Sequence, residues 1–202
     1  MEYGLSSKLS AVNTMLSAIG ESPVNQLGTA APADAILAES ILNEIAKEVQ
    51  LEGWHFNTHY DWELNRNSDN KILLPDNTAR VDVPRHGISD TDVIQRGQYL
   101  YDRKNNTSTF TSDITKATIV FMLDWTDLPE VARRYIMVKA ARVFGDRTLG
   151  SSQHHTFTQG DEMRALATLR EYETDTADLT IFDHQQISSS LERGPYQTRA
   201  TR

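Results

Sequence analysis

Several groups of side chains in this sequence have the residue types of a reactive site, and their spacing decides which chemistry is open to them. His154 and His155 are adjacent, with Asp161 and Glu162 shortly after, the ligand types of a zinc centre. Ligands to one ion must point the same way, which on a helix requires steps of three or four, and adjacent residues of any regular element diverge. The two histidines therefore read as an exposed loop pair. His55 and His59 share the polar side of an expected strand, but four residues of strand separate them by about 13 Å, too far for one ion. His86 and His184 have no cluster beside them. No metal or other cofactor is expected.

Paired carboxylates are what glycosidic hydrolysis uses, one as acid and one as base or nucleophile, roughly 5 to 9 Å apart. Asp61 with Glu63, and Asp124 with Asp127, have the right types, but 28 acidic residues in a chain of 202 produce such pairs by chance. Trp54, Tyr60 and Trp62 could stack a sugar, yet they occupy the alternating face that packing claims first. Cysteine is absent, no serine sits in a GxSxG turn, and neither GxxxxGK[ST] nor GxGxxG occurs. A glycoside hydrolase using paired carboxylates is thus the alternative reading, and a protein that is not an enzyme is the expectation. Arg133, Arg134, Lys139, Arg142 and Arg147 form the chief basic group. They are distributed around a helix rather than along one groove, which favours ion pairs within this chain or with a neighbouring copy. The net charge of −8 opposes sequence-independent DNA binding, which depends on neutralising phosphates, while remaining compatible with an acidic wall that DNA slides past.

The elements that must position these groups follow from hydrophobic period and punctuation. Residues 127–150, DLPEVARRYIMVKAARVFGDRTLG, have a start, body and stop that agree: Asp127 as cap, Pro129 and Glu130 in the first turn, Gly150 as stop. Val131, Tyr135, Ile136, Val138, Ala140, Val143 and Phe144 form more than one apolar stripe, as in a central helix touched on two sides. Leu9, Val12, Leu16 and Ile19 predict a helix from Ser7 to a stop at Gly20. A second helix is predicted over 32–52, with Leu37, Ile41, Ile45 and Val49 inward, Ala38 and Leu42 beside them, and Trp54 folding back past Gly53. From Trp54 to Leu64 the period becomes two, with even positions inward. Shorter strands are expected at 72–74, around Val81 and Val83, and at 92–95, 98–102, 107–111 and 117–123, the turn at Asn105 and Asn106 preceding one of them. After a loop at 150–160 a fourth helix is expected over 158–174, its narrow stripe of Met163, Leu166, Leu169 and Tyr172 suited to leaning on a neighbour.

The fold class is accordingly α+β: a bundle of about four helices, an inserted small antiparallel β-sheet or sandwich, and an extended C-terminal arm. The expected boundaries are 1–53 and 127–178 for the two halves of the bundle, 54–126 for the insert and 179–202 for the arm. Hydrophobic residues make up 39% of the chain, a little low for a compact monomer, which leaves surface for partners. No apolar run of about 18 residues is present to span a membrane, and the start lacks the plan of a signal peptide. Lack of cysteine suits synthesis in a reducing cytoplasm.

Residues Leu9–Val24, LSAVNTMLSAIGESPV, and Ile41–Asn57, ILNEIAKEVQLEGWHFN, resemble the two opening motifs of the tail tubular protein A family, the head-to-tail adaptors of short-tailed phages. Tyr99, Tyr101, Asp102 and Arg103 match a third motif, and Pro129, Glu130, Lys139, Ala140, Arg142, Phe144 and Arg147 match a fourth. The resemblance runs from about residue 9 to 172 in shared order and spacing, and is slight over 65–95 and beyond 173. It implies a structural virion protein of the tail, made in the bacterial host cytoplasm, whose copies form a ring, with twelve matching the portal. Its partners would be the portal protein, the tail nozzle protein, tail fibres and the genomic DNA passing through. On that expectation Phe182, Ile187, Leu191, Arg193, Tyr196, Arg199 and Arg202 would contact the portal. Arg142, Arg147 and Tyr172 would lie at subunit interfaces.

Overall fold

In the computed structural model residues 4–83, 92–150 and 152–176 are described, 152–158 by backbone alone. Helix α1, Lys8–Ala18, starts where the Ser7 hydroxyl accepts from the Ser10 amide at 3.0 Å. It stops at Gly20, in the left-handed region at φ 83°, where the Gly20 and Glu21 amides close back onto Ser17 and Leu16. Asn13 then exchanges two hydrogen bonds with the Val24 backbone, at 3.0 and 2.8 Å, and so pins the following loop across the helix.

Helix α2, Ala33–Leu51, buries Ala35, Ala38, Ile41, Leu42, Ile45 and Val49. Leu37, expected inward, is 43% exposed together with Ile36, because the buried arc is centred on Ala38 and Leu42. Gly53 ends the turn at φ 80°, a left-handed conformation that favours glycine, and a Cβ there would also press on Val120 Cγ2 at 3.3 Å and displace the Arg80 guanidinium at 2.6 Å. Trp54 folds back as expected, its indole donating to the Val49 carbonyl at 2.7 Å.

Helix α3, Glu130–Leu149, is the centre of the bundle, packed by α1, α2 and helix α4, Ser152–Thr176. Two expectations are corrected at its ends. The residue before the first turn is Pro129 rather than Asp127, which lies in a tight turn over Trp125–Asp127. And α4 begins at Ser152, not 158: α3 stops at Gly150, at φ 61°, and the expected 150–160 loop is mostly helix. The core of this half comprises Val12, Leu16, Ile41, Leu42, Ile136, Phe144 and Leu169 among others.

The strands are β1 Thr58–Leu64, β2 Thr78–Asp82, β3 Val93–Arg96, β4 Tyr99–Asp102 and β5 Ile114–Phe121. One sheet has the order β1-β5-β2, antiparallel throughout, and β3-β4 is a separate hairpin. They enclose a second core of Leu64, Ile72, Leu100, Ile119 and Phe121, and Leu123 packs against both cores. The fold is α+β, with four helices and small antiparallel sheets among the described residues.

Sheet details differ from expectation for local reasons. His55–Asn57 is a tight helical turn, so His55 is not on the strand with His59. Asp61, at φ 52°, adds a bulge, and the regular alternation fails: Tyr60 is 69% and Trp62 37% exposed. Residues 107–111 form no strand, since the Asp102 carboxylate draws in the Lys104 and Asn105 amides and turns the chain at Asn106, leaving a single bridge from Asp102 to Thr107. Residues 72–74 make isolated bridges only. Five strands stand where six or seven were expected, among the described residues. The expected C-terminal arm, 179–202, lies outside them.

Candidate interaction surface

The seam where α2 and α4 flank α3 is polar, and Lys139, Arg142 and Arg147 on it are each met by a carboxylate from this chain. Lys139 reaches Glu48 of α2 at 3.2 Å, with its ammonium 5.8 Å from the Tyr135 ring centroid. Arg142 bonds Glu162 of α4 and, at 3.1 Å, Asp146 one turn on. Arg147 forks onto both oxygens of Glu44 at 3.0 and 3.1 Å. Burial pulls the Lys139 ammonium down, but the Glu48 hydrogen bond and the charges of Tyr135, Glu48 and Glu162 more than offset it and leave the pKa raised. The Tyr135 phenol is raised, chiefly by burial. Arg142 is raised by its bond to Glu162, and Arg147 by its bond to Glu44.

These pairs make stability depend on acid. The Arg147 hydrogen bond and charge lower the Glu44 pKa, and Arg66 lowers that of Asp113 in the strand half through its backbone and side-chain bonds. A carboxyl more acidic folded than unfolded contributes above its unfolded pKa and loses that contribution as pH falls through the folded one. In urea unfolding, the gap between wild type and Glu44→Gln is expected to be constant above about pH 5 and to close below roughly pH 4. A gap unchanged at low pH would show that the pair does not act through its charge.

Arg133 and Arg134 do not fit the ion-pair expectation. Arg133 is 4% exposed and donates to backbone carbonyls: Leu128 at 2.9 Å, Thr126 at 2.6 Å and Ser6 at 3.2 Å. Arg134 is exposed and has no ion or hydrogen-bond partner among the described residues. It stands at the meeting point of two hollows, one of about 480 Å³ between α3 and α4 and one of about 180 Å³ bounded by α1, α3 and α4, with Asp161 on the rim of both. Together they line a groove along α3, between α1 and α4, with Val131, Val138 and Ala141 among its apolar walls.

Of the expected interface residues, Arg142 and Arg147 are held by carboxylates of this chain, as above, and Tyr172 is half-buried on α4. Phe182, Ile187, Leu191, Arg193, Tyr196, Arg199 and Arg202 lie outside the described residues, as do His86, His184 and the side chains of His154 and His155. Among the described residues no three His, Asp or Glu lie close enough to hold a metal ion, and no helix is long and apolar enough to cross a membrane. The carboxylate pairs are not enclosed. Asp61 and Glu63 are exposed on β1, where Asp61 faces Lys116 at 3.9 Å, and Asp124 and Asp127 are exposed ahead of α3.

Sequence reasoning missed the joint between the two cores. Asn57, fully buried, accepts from the Trp54 amide and donates to the Gln50 and Phe121 carbonyls, each at 2.9 Å. Gln50, 3% exposed, exchanges two bonds with the Leu123 backbone at 2.7 and 3.2 Å. The only local hint was polar residues flanking the buried Trp54.

Two comparisons bear on this arrangement. The family profile described as "Tail tubular protein" matches residues 9–179. "Tail tubular protein A" of Klebsiella phage KP34 is 31% identical over 166 residues, 82% of this chain and 86% of that protein.

Proposed function

The chain belongs to the tail tubular protein family, a structural component of a phage tail, and from that membership we propose that its copies form the ring that adapts head to tail. The ring would join the portal protein to the tail nozzle protein, with twelve copies matching the portal and tail fibres as further neighbours. The observation that carries this reading is the family match over residues 9–179, which takes in both cores and the joint between them. A net charge of −8 suits the wall of a channel through which DNA must pass without adhering. The work is mechanical and requires no catalytic residue.

In this proposal segments 1–53 and 127–178 form the ring wall, and 54–126 faces the neighbour, the nozzle or the fibres. The C-terminal arm, 179–202, reaches the portal through Phe182, Ile187, Leu191, Tyr196 and the arginines at 193, 199 and 202. Arg142, Arg147 and Tyr172 lie where the seam meets the next copy. The chain is synthesised in the bacterial host cytoplasm and resides in the virion tail. A cyclic ring needs two different complementary patches on each subunit.

The test is electron microscopy of the purified chain mixed with portal rings. Full-length protein is expected to cap the portal with a closed collar. A chain ending at residue 178 is expected to melt at the same temperature and to dock at least tenfold more weakly. Equal docking would overturn the assignment of the arm, and full-length protein that ignores the portal would overturn the adaptor reading.

A further inference from the structure

The groove on α3 and the first turns of α2 carry opposite unpartnered charges, Arg134 on one and Asp34 on the other, each beside aliphatic side chains. The groove has aliphatic walls of Val131 and Val138, with the unpartnered Arg134 between them and, on the rim, Asp161, whose exposed ion pair with Arg164 at 3.3 Å leaves its other oxygen open. It follows α3 from residue 130 to 141, about three turns or 16 Å, which is the footprint of one helix end. On α2, Ile36 and Leu37 are each 43% exposed in the first two turns. Asp34, in the same first turn, is exposed and has no ion or hydrogen-bond partner among the described residues. The N-terminal amides of α2 also receive no side-chain cap, since the position before the first turn is Pro32.

We propose that the α1/α3/α4 groove of one copy receives the first two turns of α2 from a second copy. The proposal rests on the ring reading above and gives that ring its contact. Ile36 and Leu37 cover Val131 and Val138, Asp34 meets Arg134, and Asp161 approaches the uncapped amide end of α2, where a negative charge is favourable. Two different faces join, so each copy keeps a free groove on one side and a free α2 on the other. That is the condition for a closed cycle instead of a two-fold dimer.

The sequence has no cysteine, so every cross-link between copies of this chain must pass through an introduced one. Virions would be grown with Ile36→Cys and Val138→Cys in the same chain and treated with a short bis-maleimide. The expected result on a denaturing gel is a ladder of covalent dimers, trimers and higher species, while either substitution alone leaves monomers, because each contact then holds a single thiol. Independently, Arg134→Glu and Asp34→Arg are each expected to lower ring yield at least tenfold, with both together restoring it, and circular dichroism confirms that all variants fold. Rings visible by microscopy without a ladder would overturn the groove contact and leave the ring. An adduct to another virion protein in place of the ladder would overturn it equally. Tails containing only separate monomers would overturn the ring reading and this contact with it.

Discussion

Asn57→Ala is expected to lower the unfolding free energy by about 3 kcal/mol, read as a drop in the urea midpoint with an unchanged slope. The Asn57 amide is fully buried and its oxygen takes the Trp54 N–H. Without it that donor is stranded in a dry joint, which costs roughly 1–3 kcal/mol. The Gln50 carbonyl still receives the Gly53 amide at 3.2 Å, so the loss there is partial. Truncating the side chain also leaves a small void between α2 and β5, adding about 1 kcal/mol. Asn57→Asp separates size from chemistry: it retains volume and acceptor but aims a carboxylate at the Gln50 and Phe121 carbonyls now met by the amide nitrogen. The aspartate variant is expected to be the less stable of the two at pH 7 and to regain ground in acid, where protonation returns a donor. If Asn57→Ala unfolded at the wild-type midpoint, the joint would not be what holds the two cores in register.

The ease with which different parts of this fold are legible follows from how local their causes are. The ends of α1, α2 and α3 were readable because Gly20, Gly53 and Gly150 each take a positive φ just past the last turn, and only glycine does so cheaply. The central position of α3 followed from its several apolar stripes. Alternation in β1 misled because the bulge at Asp61 is a non-glycine residue at φ 52°, which no periodicity reveals. The early start of α4 was hidden by a Ser, His and Thr composition typical of loops, though the backbone is helical from Ser152. Gln50 and Asn57 looked like surface because their partners, Leu123 and Phe121, are 73 and 64 residues away in sequence. Arg134 was legible as a cation, but its isolation depends on which carboxylates α1 and α4 bring near, a property of packing.

Arg133→Lys is expected to cost about 2 kcal/mol and Arg133→Ala about 3 to 4 kcal/mol, because hydrogen bonds from a charged donor contribute roughly 1.5–3 kcal/mol each and a guanidinium fork cannot be replaced by an ammonium. The guanidinium gathers three carbonyls from two separate stretches, Thr126 and Leu128 ahead of α3 and Ser6 ahead of α1. Trp125 adds its indole N–H to the same Ser6 carbonyl at 2.8 Å, and the Ser6 amide donates to Glu130 at 2.9 Å. Lysine can satisfy one or two of these carbonyls but cannot span all three in one plane. Alanine, in addition, removes a stem buried to 4% exposure. Since α3 has Pro129 at its start with no side-chain cap, this cluster is what anchors its first turn, where Glu130, Val131 and Arg134 border the groove. Hydrogen exchange is the discriminating measurement. In Arg133→Lys the amides of Ser6 and of Arg133's own turn should exchange at least tenfold faster, while those of β1 and β5 remain within error of wild type. Uniform acceleration across both halves would mean that Arg133 supports global stability alone, and that the start of α3 is anchored by something other than this cluster.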